Sequence, residues 1–125
     1  MSSPVSSRRA RGRQGEALAE QFLRRAGFRI LARNVHLRHA KLDLVALEGS
    51  TLCFVEVRLR SSDAFGSAEE SVDIRKQRRV LRAARGFLAR ERPPRHSQIR
   101  FDVVAIDASR VPAAIRLIRD AFDAS

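Results

Sequence analysis

Asp43 and Glu56 are the two carboxylates whose positions invite chemistry. Gly49-Ser50, between two apolar runs, suits a two-residue type II′ hairpin turn. With that loop Glu48 faces Thr51, which places Asp43 directly opposite Glu56 and Lys41 opposite Arg58. Directly opposed residues share a sheet face, with Cβ atoms about 4.5–5.5 Å apart. Like charges set together in an apolar sheet are costly, and a bound divalent ion is one remedy. Mg²⁺ commonly takes one or two carboxylates, keeps several waters and completes its shell with phosphate oxygens. Such an ion activates water and stabilises a phosphoryl transition state, and a neighbouring cation neutralises the developing charge. The same spacing admits a plainer arrangement, a solvated cluster in which Asp43 pairs with Lys41 and Glu56 with Arg58. A three-residue loop would shift the pairing by one and separate the carboxylates onto opposite faces.

The elements that must hold these residues are legible as periodicities. From Gln14 onward Gly15, Leu18, Ala19, Phe22, Leu23 and Ala26 follow helical spacing, and Gly27 stops the helix. Glu16 falls at the border of that apolar face and Arg24 opposite it. Residues 28–36, 42–47 and 52–59 read as strands; the second and third are apolar on both faces, as in central strands covered by helices. Residues 61–68 read as a loop. Ser67 and Glu70 fit a capping box for a helix running to about Arg90, with Val72, Val80, Ala83, Ala84 and Phe87 facing inward and Lys76 on the same line. Pro93-Pro94 ends that helix, residues 92–98 link, and residues 101–106 form a fourth buried strand. In the tail, Val111, Ile115, Ile118 and Phe122 suit a helix, while residues 115–118 suit a short edge strand equally well. The order αβββαβ plus a short C-terminal element predicts one α/β domain over residues 14–125, a mixed central sheet flanked by helices. Residues 1–13, rich in Ser and Arg, read as a flexible basic arm.

Charge narrows the partner. Lys+Arg number 25 against 14 Asp+Glu, a net +11, and 23 of the basic residues are arginine; the lysines are Lys41 and Lys76 alone. Codon bias accounts for arginine replacing lysine but not for the excess charge, which favours a polyanion: nucleic acid, with DNA as the first expectation. An acidic protein and simple solubility are the competing explanations. Arg8, Arg9, Arg11 and Arg13 on the arm, with Arg75, Arg78, Arg79, Arg82 and Arg85 on the long helix, are the candidate phosphate contacts. Trp and Tyr are absent, which weakens a single-strand stacking reader, although seven Phe remain. No apolar run approaches a membrane span, and residues 1–13 have no apolar stretch of a secretory signal. The lone Cys53 permits neither an internal disulfide nor a multi-cysteine zinc site, so a cytoplasmic setting and a small buried residue are expected. His36, His39 and His96 lack a metal-ligand spacing and read as surface residues.

Taken together, several short segments resemble one known family. Gly15-Glu16, Asn34, Leu42-Asp43-Leu44-Val45-Ala46, Phe54-Val55-Glu56-Val57-Arg58, Val72, Lys76, Arg100-Phe101-Asp102-Val103-Val104 and Ala121-Phe122 match in order and spacing. The pattern resembles the YraN-like (UPF0102) family of small bacterial proteins, which is itself similar to the PD-(D/E)xK nuclease superfamily with its restriction-endonuclease-like domain. The resemblance implies a Mg²⁺- or Mn²⁺-dependent endonuclease of the resolvase-like type, acting on DNA or a branched nucleic acid. It implies Asp43 and Glu56 as metal ligands with the carbonyl of Val57 as a third, and Glu16 as the helix carboxylate that reaches them. Glu16 also suits a helix N-terminus through the macrodipole. Two departures stand out: the Gly-Glu usual before the Leu-Asp pair is Ala40-Lys41, and the superfamily lysine is Arg58. Arginine clamps phosphate but cannot take a proton from water. Lys41 or Lys76 would then supply the amine, unless Lys76 simply snorkels to a carboxylate. The alternative function is a nuclease-fold protein that binds nucleic acid without cutting; activity on a four-way junction would also require a homodimer.

Overall fold

The computed structural model describes residues 8–38, 40–60 and 72–123, with side chains from residue 12. Along the chain run α1 (Arg8–Arg25), β1 (Arg29–Leu37), β2 (Ala40–Glu48), β3 (Thr51–Arg60), α2 (Ile74–Arg90), β4 (Gln98–Asp107) and β5 (Ala114–Phe122). The strands form one five-stranded sheet in the order β1-β2-β3-β4-β5. Short turns keep β1, β2 and β3 antiparallel, whereas β3 and β4 are parallel because α2 carries the chain back across the sheet. β5 returns antiparallel on β4. The mixed sheet with flanking helices is the architecture expected from the element order.

Each face of the sheet is covered by one helix. Ala19 and Leu23 of α1 pack on Leu44, Ala46, Val55 and Val104. Val80, Ala83, Ala84 and Phe87 of α2 pack on Val45, Phe54 and Val103 from the other side. This double covering is why β2 and β3 read as continuous apolar runs. The ring of Phe54 meets Phe87 edge-on at 5.9 Å and stacks on Phe101 at 5.6 Å. Cys53 is fully buried, and burial, aided by the Asp102 charge, pushes its thiol up to about 12; it is a packing residue, as expected.

Three local expectations are corrected. α1 begins at Arg8, six residues before Gln14, so Arg8, Arg9, Arg11 and Arg13 belong to a helix rather than an arm. The start of α2 is set by Asp73, whose side chain accepts the Lys76 N–H at 2.9 Å, a cap worth about 1 kcal/mol. Ser67 and Glu70 lie outside the described residues. The C-terminal element is a nine-residue strand, longer than the four residues considered for an edge strand. Its register on β4 buries Phe122 against Phe101, stacked at 5.2 Å. A helix would have lost the ladder that satisfies the β4 edge.

Candidate functional site

The predicted hairpin register holds from Glu48–Thr51 to Leu44–Val55, and there the ladder stops. Gly49 adopts φ 60° while Ser50 stays out of the left-handed region, as a II′ turn requires. Asp43 and Glu56 would form the next pair. Instead the Val57 N–H donates to Asp43 Oδ2 at 2.9 Å, so a side chain replaces the ladder. Leu42 packs beneath α2 while Leu44 and Ala46 pack beneath α1, so side-chain alternation breaks between them. The expected face-to-face opposition of Asp43 with Glu56, and of Lys41 with Arg58, is therefore corrected. Stacking two carboxylates in an apolar sheet costs more than breaking the ladder, and the break gives Asp43 an amide and an ammonium.

What converges is a set of small ion pairs. Lys41 Nζ lies 3.0 Å from Glu16 Oε2, 3.1 Å from Asp43 Oδ1 and 3.3 Å from Asn34 Oδ1. Lys76 Nζ lies 3.2 Å from Glu56 Oε1. Arg58 adds a guanidinium whose Nε is buried without a hydrogen-bond partner among the described residues. The charged side chains of this set line one pocket of about 240 Å³ together with Gly12, Gly15, Val57 and Leu59. Both lysines of the chain stand in this pocket, in a protein that uses arginine everywhere else.

The elements explain the convergence. α1 lies close on β3, so that a Cβ on Gly15 would stand 3.6 Å from that of Leu59, and the next residue, Glu16, reaches the pocket rim. Asn34 takes φ 51°, a left-handed conformation asparagine tolerates better than most residues, and aims its amide oxygen at Lys41. Lys76 sits in the first turn of α2, above the last inward-facing residues of β3.

Electrostatics differ between the two pairs. Burial, reinforced by the Asp43 charge and opposed by Lys76 and Arg58, pushes the Glu56 carboxyl up to about 7. Burial works against the charge on Lys41, but the Asp43 and Glu16 carboxylates outweigh it and hold the ammonium above its ordinary range. Glu56 is 3% exposed at its side chain, whereas Lys41 is 39% exposed and faces solvent at the pocket mouth.

Of the residues singled out from the sequence, Glu16, Lys41, Asp43, Glu56, Val57, Arg58 and Lys76 line the pocket. Arg75, Arg78, Arg79, Arg82 and Arg85 are exposed on α2, Arg13 is exposed on α1, and none of them lines it. Two plainer arrangements are present: Asp43 pairs with Lys41, and Lys76 reaches a carboxylate, taking the place Arg58 was expected to hold beside Glu56. His36 is exposed and its carbonyl accepts from Arg90, His96 bonds the carbonyl of Pro94, and His39 lies outside the described residues. Asn34 was recognised only as a marker; the signal for its role is a polar residue able to adopt a left-handed turn inside a strand.

A resident Mg²⁺ does not fit this arrangement. Such an ion needs oxygens at about 2.0–2.1 Å around one point. The point on which Glu16 and Asp43 converge is held by the Lys41 ammonium, and Glu56 faces a different cation. Among the described residues no group of three or more His, Cys, Asp or Glu side chains is arranged to hold a metal ion.

Known proteins agree with the resemblance to the UPF0102 family. A family model described as the uncharacterised protein family UPF0102 matches residues 15–106. A UPF0102 protein of Anaeromyxobacter sp. (strain Fw109-5) is 49% identical over 119 residues, covering 95% of this chain and 89% of the relative. One from Stutzerimonas stutzeri is 48% identical over 120 residues, 95% of this chain and 99% of the relative. One from Chlorobium chlorochromatii is 42% identical over 126 residues, 96% of each chain. The matched residues run from the helix that carries Glu16 to the strand that ends the parallel pair, and with identity sustained over nearly whole chains this protein belongs to the UPF0102 family.

Proposed function

We propose that the protein binds nucleic acid, seating a backbone phosphate in the Glu16–Lys76 pocket while the exposed arginines of α2 follow the neighbouring phosphates. The observation that carries this reading is the Arg58 Nε, buried at the pocket with no acceptor among the described residues. A guanidinium donor left without a partner is costly, and a phosphate oxygen is the acceptor its fork suits best. Lys76 stands in the same pocket, and Arg75, Arg78, Arg79 and Arg82 are exposed on the same helix. The net charge of +11 supplies the long-range attraction.

The test is fluorescence anisotropy with a labelled short duplex in EDTA across a range of salt. Log K should fall with log[salt] by about 0.9 per phosphate contact. The double substitution Arg78→Gln/Arg82→Gln should make that slope shallower by up to about 2, and Arg58→Gln should weaken binding. No measurable affinity for duplex DNA, single-stranded DNA or RNA would sink the reading. Glu56 favours a second one, because a carboxyl pushed up to about 7 is suited to proton transfer during phosphodiester hydrolysis. Cleavage of duplex, flap or four-way-junction DNA that is lost in Glu56→Gln would establish that endonuclease activity.

A further inference from the structure

The Lys41 ammonium has three N–H donors and three oxygens around it: Glu16 Oε2 at 3.0 Å, Asp43 Oδ1 at 3.1 Å and Asn34 Oδ1 at 3.3 Å. Those oxygens come from α1, β2 and β1 and converge on one point. Two are carboxylates and the third is an amide carbonyl, the hard donors that Mg²⁺, Mn²⁺ and Ca²⁺ select. Neither carboxylate belongs to an arginine pair that would hold it in place: the ion pairs of Glu16 and Asp43 are with Lys41 alone among the described residues. The ammonium itself is tethered by a flexible, part-exposed stem. We infer that Lys41 is a built-in cation closing a latent divalent-ion site made by Glu16, Asp43 and Asn34. In the native chain the lysine supplies one positive charge shared between Glu16 and Asp43, and it excludes a divalent ion by occupying the point on which their oxygens converge. Removing the ammonium leaves three oxygens facing a space from which one cation has been taken.

This inference rests on the donor geometry alone and stands apart from nucleic-acid binding, which the duplex measurement in EDTA tests separately. The experiment compares the native chain, Lys41→Met and the double variant Lys41→Met/Asp43→Asn. Each is melted in EDTA and in about 10 mM Mg²⁺, a concentration suited to a weak oxygen-ligand site. Each is also titrated with Mn²⁺ while the free-ion EPR signal is followed. The native chain should melt at the same temperature in both buffers and leave Mn²⁺ free. Lys41→Met should melt lower in EDTA, recover by about 5 °C or more in Mg²⁺ and take up Mn²⁺, and the double variant should lose both responses. Mn²⁺ uptake by the native chain that Asp43→Asn abolishes would overturn the inference, as would a folded Lys41→Met that takes up none. Lys41→Gln, which keeps a donor toward the carboxylates, is carried alongside; if neither substitution folds, the native titration decides.

Discussion

Two clusters of opposite charge are built into the same sheet, and they are made differently. Beside the hairpin turn, Arg100 grips Asp102 with Nε and Nη2, both at 2.8 Å, and reaches Glu48 at 2.7 Å. Arg119 then closes on Glu48 with two bonds of 2.9 and 2.6 Å, and the Asp120 N–H takes Asp102 Oδ1 at 2.9 Å. Toward the other end of β2, Glu16, Asp43 and Glu56 are met by ammonium groups at single points, with one guanidinium nitrogen left unpaired among the described residues. Planar arginine forks use both oxygens of a carboxylate and leave nothing for a ligand. Lysines satisfy charge without enclosing it. The first cluster is a fastening that locks β5 to β4 and to the hairpin; the second keeps donors and acceptors within reach of something outside the chain.

The largest effect should come from opening the fastening. Asp102 is fully buried, so Asp102→Ala removes both fork bonds of Arg100 and the acceptor of the Asp120 N–H, and should cost about 3–5 kcal/mol by urea denaturation. Duplex affinity per folded molecule should be unchanged. A loss below about 1 kcal/mol would remove the distinction between the clusters.

Next in size is Glu56→Gln. The folded Glu56 carboxyl lies at about 7 against an ordinary 4.5, so its contribution is fully present below about 4.5 and is lost as pH rises through about 7. The amide cannot ionise, so the variant should be more stable than the native chain at pH 8 by about 1–3 kcal/mol, and its stability should be flatter between those pH values. Equal pH profiles for the two proteins would show that the pocket does not strain Glu56.

The smallest change tests the outer rim of the fastening. The Arg119 hydrogen bonds, with Arg100 assisting and burial opposing, hold the Glu48 carboxyl down at about 2. Its contribution is therefore present above about 4.5 and is lost as pH falls toward 2, the opposite direction to Glu56. Arg119 is half exposed and also lies 5.7 Å over the Phe28 ring, so Arg119→Ala should cost only about 0.5–1 kcal/mol at pH 7. Thermal melts from pH 2 to 5 should show a weaker acid dependence in the variant. An unchanged acid limb would assign that dependence to other carboxylates.

The same contrast marks how far the sequence could be read. Asp43, Glu56, Lys41 and Arg58 are identifiable because the turn at Gly49-Ser50 sets the register, Lys76 because helical periodicity turns it inward, and Glu16 through the family resemblance. Their pairing is not. The break at Asp43 depends on the Val57 amide, on Asn34 in β1 and on Glu16 in α1, three elements whose approach no local spacing encodes. The network around Asp102 was not anticipated either, although Arg100-Phe101-Asp102 is a prominent motif, because its partners Glu48 and Arg119 lie 52 and 71 positions apart from the residues they meet.

By itself the sequence determined the apolar central strands, the hairpin register from Glu48–Thr51 to Leu44–Val55, the two apolar helix faces and the strong positive charge, all of which follow from residue type and spacing along a short stretch of chain. Tertiary structure alone decided that β5 is a strand, since Val111, Ile115, Ile118 and Phe122 suit a helix, residues 115–118 suit a strand equally well, and only the open edge of β4 distinguishes the two. It also decided which cation faces which carboxylate. Coulomb energies in a partly buried site depend on distances of a few ångströms and on how much water remains, and both are set by the packing of α1 and α2 on opposite faces of one sheet.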